Sequence, residues 1–279
     1  MNEKQFMKKA MRYGLSSDAV FHALRFRRIM GEPTDFMKRR SEARKISASS
    51  RYASFIDKKK GYGRFGPADF PGVWDAVGAA NRIYESKKMD GNFKKPFFVN
   101  LLEPADLDQH PQLLAFAQSK PMRDAATGYL GTVPDLSGIG VFLSPANSSL
   151  EKSQQYHTDD IDKVQVKCFI NCNEIGPNNG PFTFVSGDAS DTIRRKLKHG
   201  WRGPRLPDEE VINNCRKEDI ITVTGGPGTG VLVDTSRCLH FGSRCRENYR
   251  LVIMFQYTRR PSLSFETERP RGSTLIIDH

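Results

Sequence analysis

Short apolar, β-branched runs separated by turn residues fill the second half of the chain. GVFLS (140–144), KVQVKCFIN (163–171), PFTFVS (181–186), DIITVT (219–224), GVLVD (230–234) and RLVIMFQYT (250–258) each read as a strand. GPNNG and GGPGTG lie between them as turn chemistry, and the second reads as a hairpin turn. The first half has helical spacing instead. Phe6, Met7, Ala10 and Met11 recur on one face, DAVFHALRFRRIM follows a capping Ser16 or Ser17 and stops before Gly31 and Pro33, and DFMKRRSEARK comes next. GYGRFGPADFPG (61–72) reads as a Gly/Pro-rich loop, with helices expected at 73–86 and 105–130. Residues 189–218 look helical and then loop-like. The pattern predicts a mainly β (α+β) domain with packed helices, its strands in a sandwich or small barrel.

Charge divides the chain in two. Residues 1–60 hold 16 Lys and Arg against 6 Asp and Glu, whereas residues 61–279 hold 27 against 26. The net charge of +11 therefore belongs to a basic helical extension, 1–60, in front of a domain, 61–279. Nucleic acid or an acidic protein is a conceivable partner for that extension, but solvated faces of packed helices are the plainer reading. The longest apolar stretches, such as Leu251 to Phe255, are far too short to cross a bilayer. The N-terminus has no apolar secretory segment. Five cysteines without a CxxC pair suit reduced thiols in the cytoplasm.

Within the β region, Tyr156-His157-Thr158-Asp159 places an imidazole and a carboxylate two residues apart, on one face of a strand. His240 follows 83 residues later. Together they would give two histidines and a carboxylate on one face of a metal, which leaves open positions for non-haem Fe(II) chemistry but also suits zinc. Arg250 heads an otherwise apolar strand, where it needs an anion; Glu247 or Asp234 could supply one, and so could a bound carboxylate. If register holds, Gln165, Lys167 and Asn171 face the interior, opposite Val166 and Cys168, with Thr183 a further interior hydroxyl. Tyr129, Tyr156 and Trp201 are candidate pocket aromatics. The cluster Arg194, Arg195, Lys196, Lys198, Arg202 and Arg205 hints at an anionic substrate, with a solvated insertion as the plainer reading. GGPGTG lacks the GK[ST] of a phosphate loop. Specificity is expected in loops 61–104 and 188–218.

Across roughly residues 105–258 the sequence resembles the phytanoyl-CoA dioxygenase-like branch of the Fe(II)/2-oxoglutarate oxygenases. The likeness runs through QQYHTDDIDKVQVKCFINCNEIGPNNGPFTFVSG and GTGVLVDTSRCLHFGSRCRENYRLVIMFQY. It departs from the family at Ser186-Gly187-Asp188, where a histidine is usual. The resemblance implies a double-stranded β-helix (jelly-roll, cupin-like) core. It implies that His157, Asp159 and His240 bind Fe(II) and that Arg250 holds the distal carboxylate of 2-oxoglutarate; the register reading adds Lys167, Gln165 and Thr183 as secondary contacts to the keto acid or the substrate. A small-molecule substrate and dioxygen complete the expectation. Halogenases of the family replace the carboxylate with Ala or Gly, so Asp159 implies hydroxylation or a related oxidation. A zinc hydrolase and a non-catalytic ligand-binding barrel are the alternatives.

Overall fold

The computed structural model describes residues 17–88, 97–200 and 203–259. The helical pattern at Phe6–Met11, Trp201, Arg202 and residues 260–279 lie outside them. Helices α1 (Ser17–Gly31) and α2 (Pro33–Ser49) come first, the second with Pro33 in its first turn, where no backbone N–H is missed. A 3₁₀ turn (Arg51–Ser54), β1 (Tyr62–Phe65), α3 (Val73–Lys88) and β2 (Val99–Asn100) follow. The helical stretch expected at 105–130 is three helices: α4 (Pro104–Gln109), α5 (Gln112–Ala117) and α6 (Lys120–Leu130). Pro111 stands at the start of α5 and Pro121 in the first turn of α6; neither ring could sit inside one continuous helix. Strands β3 (Asp135–Pro145), β4 (Gln165–Asn171) and β5 (Phe182–Val185) lead into α7 (Gly187–Lys196) and α8 (Asp208–Ile212). Strands β6 (Ile220–Val223), β7 (Gly230–Val233), β8 (His240–Phe241) and β9 (Tyr249–Thr258) end the described chain.

Among the described residues all strand pairs are antiparallel, in a six-stranded sheet ordered β1-β7-β4-β9-β3-β2 and a three-stranded sheet ordered β6-β5-β8. Alternation along the strands gives each sheet two faces. Val166, Cys168 and Ile170 of β4 and Leu251, Ile253 and Phe255 of β9 pack with Ala76, Ala80 and Ile83 of α3 and Leu113, Met122 and Ala125 of α5 and α6. The opposite face looks into the sandwich, where Val231 and Val233 of β7 meet Phe182 and Phe184 of β5 and Ile221 and Val223 of β6. This is a jelly-roll of the cupin-like, double-stranded β-helix kind with helices on one face. Among the described residues no helix is long and apolar enough to cross a membrane.

Two expectations are corrected. GYGRFG is a strand for four of its residues: Tyr62–Phe65 pairs along β7. Gly63 is there for close approach, since a Cβ would fall 2.3 Å from the Phe55 carbonyl oxygen. GGPGTG is a turn, with Gly225 and Gly228 at positive φ, but it joins β6 and β7 of different sheets and so crosses the sandwich without closing a hairpin.

Candidate metal centre

The three candidate ligands converge although 83 residues separate the histidines. His157 and His240 exchange backbone hydrogen bonds as an isolated antiparallel bridge (3.0 and 2.9 Å), and Asp159 N–H donates to the Thr235 carbonyl at 2.8 Å. A backbone rail thus brings the HxD segment beside the start of β8. One ligand atom from each of His157, Asp159 and His240 lies within 4.8 Å of the others.

The histidines are oriented from behind. Nδ1 of His157 donates to the Gln155 carbonyl at 2.8 Å and Nδ1 of His240 to the Cys238 carbonyl at 2.9 Å. A carbonyl can only accept, so each Nδ1 carries the proton and each Nε2 lone pair is free for a metal. Burial lowers the pKa of both rings, His240 to about 3, where its neighbour His157 adds to the effect. Burial alone would raise Asp159, but the Lys167 ammonium and the two imidazoles outweigh it and hold the carboxyl below the usual carboxylate range. Neutral imidazoles beside an ionised carboxylate are what metal ligation needs.

Asp159 is itself held. Its Oδ2 accepts from Lys167 Nζ at 2.8 Å and from Gln165 Nε2 at 3.0 Å, and the same amide nitrogen donates to Thr235 Oγ1 at 2.8 Å. Register therefore puts Gln165 and Lys167 on the triad side of β4. Asn171 lies farther along and donates to the Gly225 carbonyl.

The triad opens into a cavity of about 140 Å³ that Arg250 and Lys167 share with the rings of Phe98, Phe142, Phe169 and Phe182. That volume is on the order of five water molecules, the scale of a small organic acid. Arg250 is 2% exposed, its Nε has no hydrogen-bond partner, and no carboxylate among the described residues pairs with it. Burial pulls its pKa down to about 10. Neither suggested partner reaches it: Glu247 accepts from Asn178, and Asp234 accepts from Tyr129 and Ser236.

Other sequence candidates sit elsewhere. Thr183 projects away from the cavity, because Phe182 takes the inward position; its hydroxyl meets the Pro181 carbonyl and Thr222 instead. Tyr156 packs edge-on against Phe241, and Tyr129 donates to Asp234 in a separate groove. The aromatic lining went unread in the sequence. Phe169 was within reach, being in phase with Gln165 and Lys167, but Phe98 and Phe142 arrive from a segment and a strand whose pairing no local pattern announces.

Among solved structures the chain is similar to EctD from S. alaskensis with bound Fe, at 19% identity and a TM-score of 0.56 over 81% of this chain and 83% of that one. It is also similar to HygX from Streptomyces hygroscopicus with nickel and 2-oxoglutarate bound (14% identity, TM-score 0.52, 76% of this chain and 87% of that one). A third is the non-heme alpha ketoglutarate dependent carbocyclase SnoK from nogalamycin biosynthesis (14% identity, TM-score 0.51, 76% and 84%). No family model and no curated protein matches. The fold is shared with non-heme iron, 2-oxoglutarate-dependent oxygenases. At such identities the likeness is one of architecture, and the chemistry has to be argued from the site.

Proposed function

We propose that this chain is an Fe(II)- and 2-oxoglutarate-dependent dioxygenase of the phytanoyl-CoA dioxygenase-like kind, cytoplasmic, that hydroxylates a small anionic molecule. The observation that carries the reading is Arg250, a guanidinium buried in the triad cavity with an orphaned Nε and no carboxylate partner among the described residues. Such a cation is costly unless a ligand brings the anion. A zinc hydrolase would have the same three ligands and no use for it.

The residues present fit both cofactors. His157, Asp159 and His240 would hold the metal, and Arg250 the distal carboxylate of the keto acid through its planar fork. Bound iron with 2-oxoglutarate supplies dioxygen activation coupled to decarboxylation of the keto acid to succinate. Lys167 keeps Asp159 ionised and offers a second cation to an acid in the cavity. Gln165 acts through Asp159, whose Oδ2 it ties to Thr235. The phenylalanine rings keep the chamber dry, which protects reactive species from water. Asp159 also fills the position that a halide would need, which favours hydroxylation.

Anaerobic titration with Fe(II) and 2-oxoglutarate, read by the visible charge-transfer band of a chelated keto acid, tests the proposal. The wild type should develop the band. His157→Ala, Asp159→Ala and His240→Ala should lose metal and band together, and Arg250→Ala should keep the metal while needing at least about tenfold more keto acid, as loss of a charged hydrogen-bonded pair requires. A protein that holds zinc tightly and gives no band would overturn it.

A further inference from the structure

A cavity of about 1010 Å³ lies apart from the triad cavity. It runs along α7 and past the turn Asp234-Thr235-Ser236. That turn is a shared wall. Thr235 bonds to Gln165 and Asp159 on one side, whereas Asp234 and Ser236 line the groove on the other.

Six cations line the groove: Lys58, Lys163, Arg194, Arg195, Lys198 and Arg237. Its carboxylates are already engaged. Asp191 pairs with Arg237 at 2.8 Å, Asp188 accepts from Ser186 and from the Ala189 N–H, and Asp234 accepts from Tyr129 and Ser236. Lys58, Arg194, Arg195 and Lys198 are left with no carboxylate partner among the described residues. Arg194 and Arg195 also sit in the last turn of α7, where they complement the helix dipole, but Lys58 comes from a distant segment and owes nothing to that effect.

A second feature points to a ligand. His199 is 7% exposed and lines the groove; its Nε2 donates to the Pro204 carbonyl at 2.7 Å, and the ring's other nitrogen, Nδ1, is buried with no partner. An occupant that satisfies both features carries more than one negative charge and a hydroxyl, which can meet Nδ1 as donor or as acceptor. A phosphate monoester has the charge and the acceptor oxygens for several Lys and Arg donors, and a neighbouring hydroxyl supplies the partner for Nδ1. Single-stranded nucleic acid would want free stacking rings, and of the rings lining the groove among the described residues Tyr129 is tied to Asp234 and His199 to the Pro204 carbonyl.

We propose that this groove binds the phosphate group of a small, soluble, hydroxyl-bearing phosphate ester. The proposal stands whether or not the triad is an oxygenase site, because the two cavities have no lining residue in common. The test titrates the full chain with inorganic phosphate and with glycerol 3-phosphate at constant ionic strength, by calorimetry and by the ¹⁵N shift of His199 Nδ1. Saturable binding is expected, tighter for the ester, with movement of that resonance. Arg194→Ala/Lys198→Ala should weaken binding roughly tenfold or more, while Fe(II) and 2-oxoglutarate titrate as in the wild type. Equal binding by wild type and variant, heats that follow ionic strength alone, or phosphate that competes only with 2-oxoglutarate would overturn it. So would sedimentation with phosphatidic acid vesicles without binding of the soluble ester, which would assign the groove to a membrane surface.

Discussion

Asp234 lines the groove next to Thr235, the residue bonded to Gln165 and Asp159, and leaves a measurable trace of its own. It is buried, and burial pushes its carboxyl from 3.8 up to about 6, against the hydrogen bonds from Ser236 and Tyr129 that favour the ionised form. The folded state therefore binds the proton more tightly than the unfolded chain. Stability from this group is full below about pH 4 and is lost as pH rises through 6. The shift corresponds to about 3 kcal/mol. Asp234→Asn keeps the shape and abolishes the titration, so its stability relative to the wild type should climb by about 2–3 kcal/mol between pH 4 and 7 in urea unfolding. A flat difference would mean that Tyr129 and Ser236 hold the carboxylate ionised without cost. At this scale the sequence was informative where the chemistry is compact. HxD and a later His stood out because metal ligation would restrict residue type, and Arg250 because a buried guanidinium would need an anion; the structure brings the first three together and buries the fourth. Thr183 misled because a strand residue next to a phenylalanine can face either side, and nothing local says which.

Elements meet most tightly where a side chain is missing. Gly128 of α6 lies against the 3₁₀ turn Arg51–Ser54, and a Cβ there would fall 1.9 Å from the Ala53 carbonyl oxygen. Backbone on both sides leaves no rotamer to relieve the clash, so Gly128→Ala should cost about 3 kcal/mol or more despite its gain in helix propensity. Gly78 of α3 is the control. Its nearest neighbour is the mobile end of Arg82, 3.4 Å from the added carbon, so Gly78→Ala should be neutral or stabilise by up to about 1 kcal/mol. Denaturant midpoints that moved equally for the two would refute the close approach. The same reasoning explains which elements were legible. Strands with β-branched alternation, such as β4 and β9, stood out at once. β1 did not, because Gly63 reads as a loop residue until the Phe55 carbonyl is seen above it. The turn between β6 and β7 was visible, but which sheet each flanking strand joins is a long-range property that no local pattern encodes.

At the level of the whole molecule, the first described helix and the last described residue close together on the loop that follows Asp159. Arg25 of α1 and Arg259, just past β9, both point at Asp162, which is fully buried and lies three residues after Asp159. Arg259 hydrogen-bonds it at 3.2 Å, whereas Arg25 at 3.9 Å is an ion pair too long for a hydrogen bond. Burial, and then the charge of Arg259, bring the Arg25 pKa down to about 10. The two cations thus share one counterion, and part of the +10 balance of residues 1–60 is spent inside the structure. α2 adds a second tie, with Arg39 bonded to Asp135 and to the Val133 carbonyl. Removing Asp162 should hurt far more than removing Arg25. Asp162→Ala leaves two facing guanidinium groups without an anion and should cost about 3–5 kcal/mol, while Arg25→Ala gives up only the longer contact and should cost about 1 kcal/mol. The double variant should recover part of the loss, because it also removes the repulsion between the arginines. Since the Asp162 loop continues directly from Asp159, the Asp162 variant should also bind Fe(II) more weakly, and Arg25→Ala should leave metal affinity close to the wild type. If both single variants cost under 1 kcal/mol and neither changed metal binding, the extension would be a solvated appendage with no hold on the site.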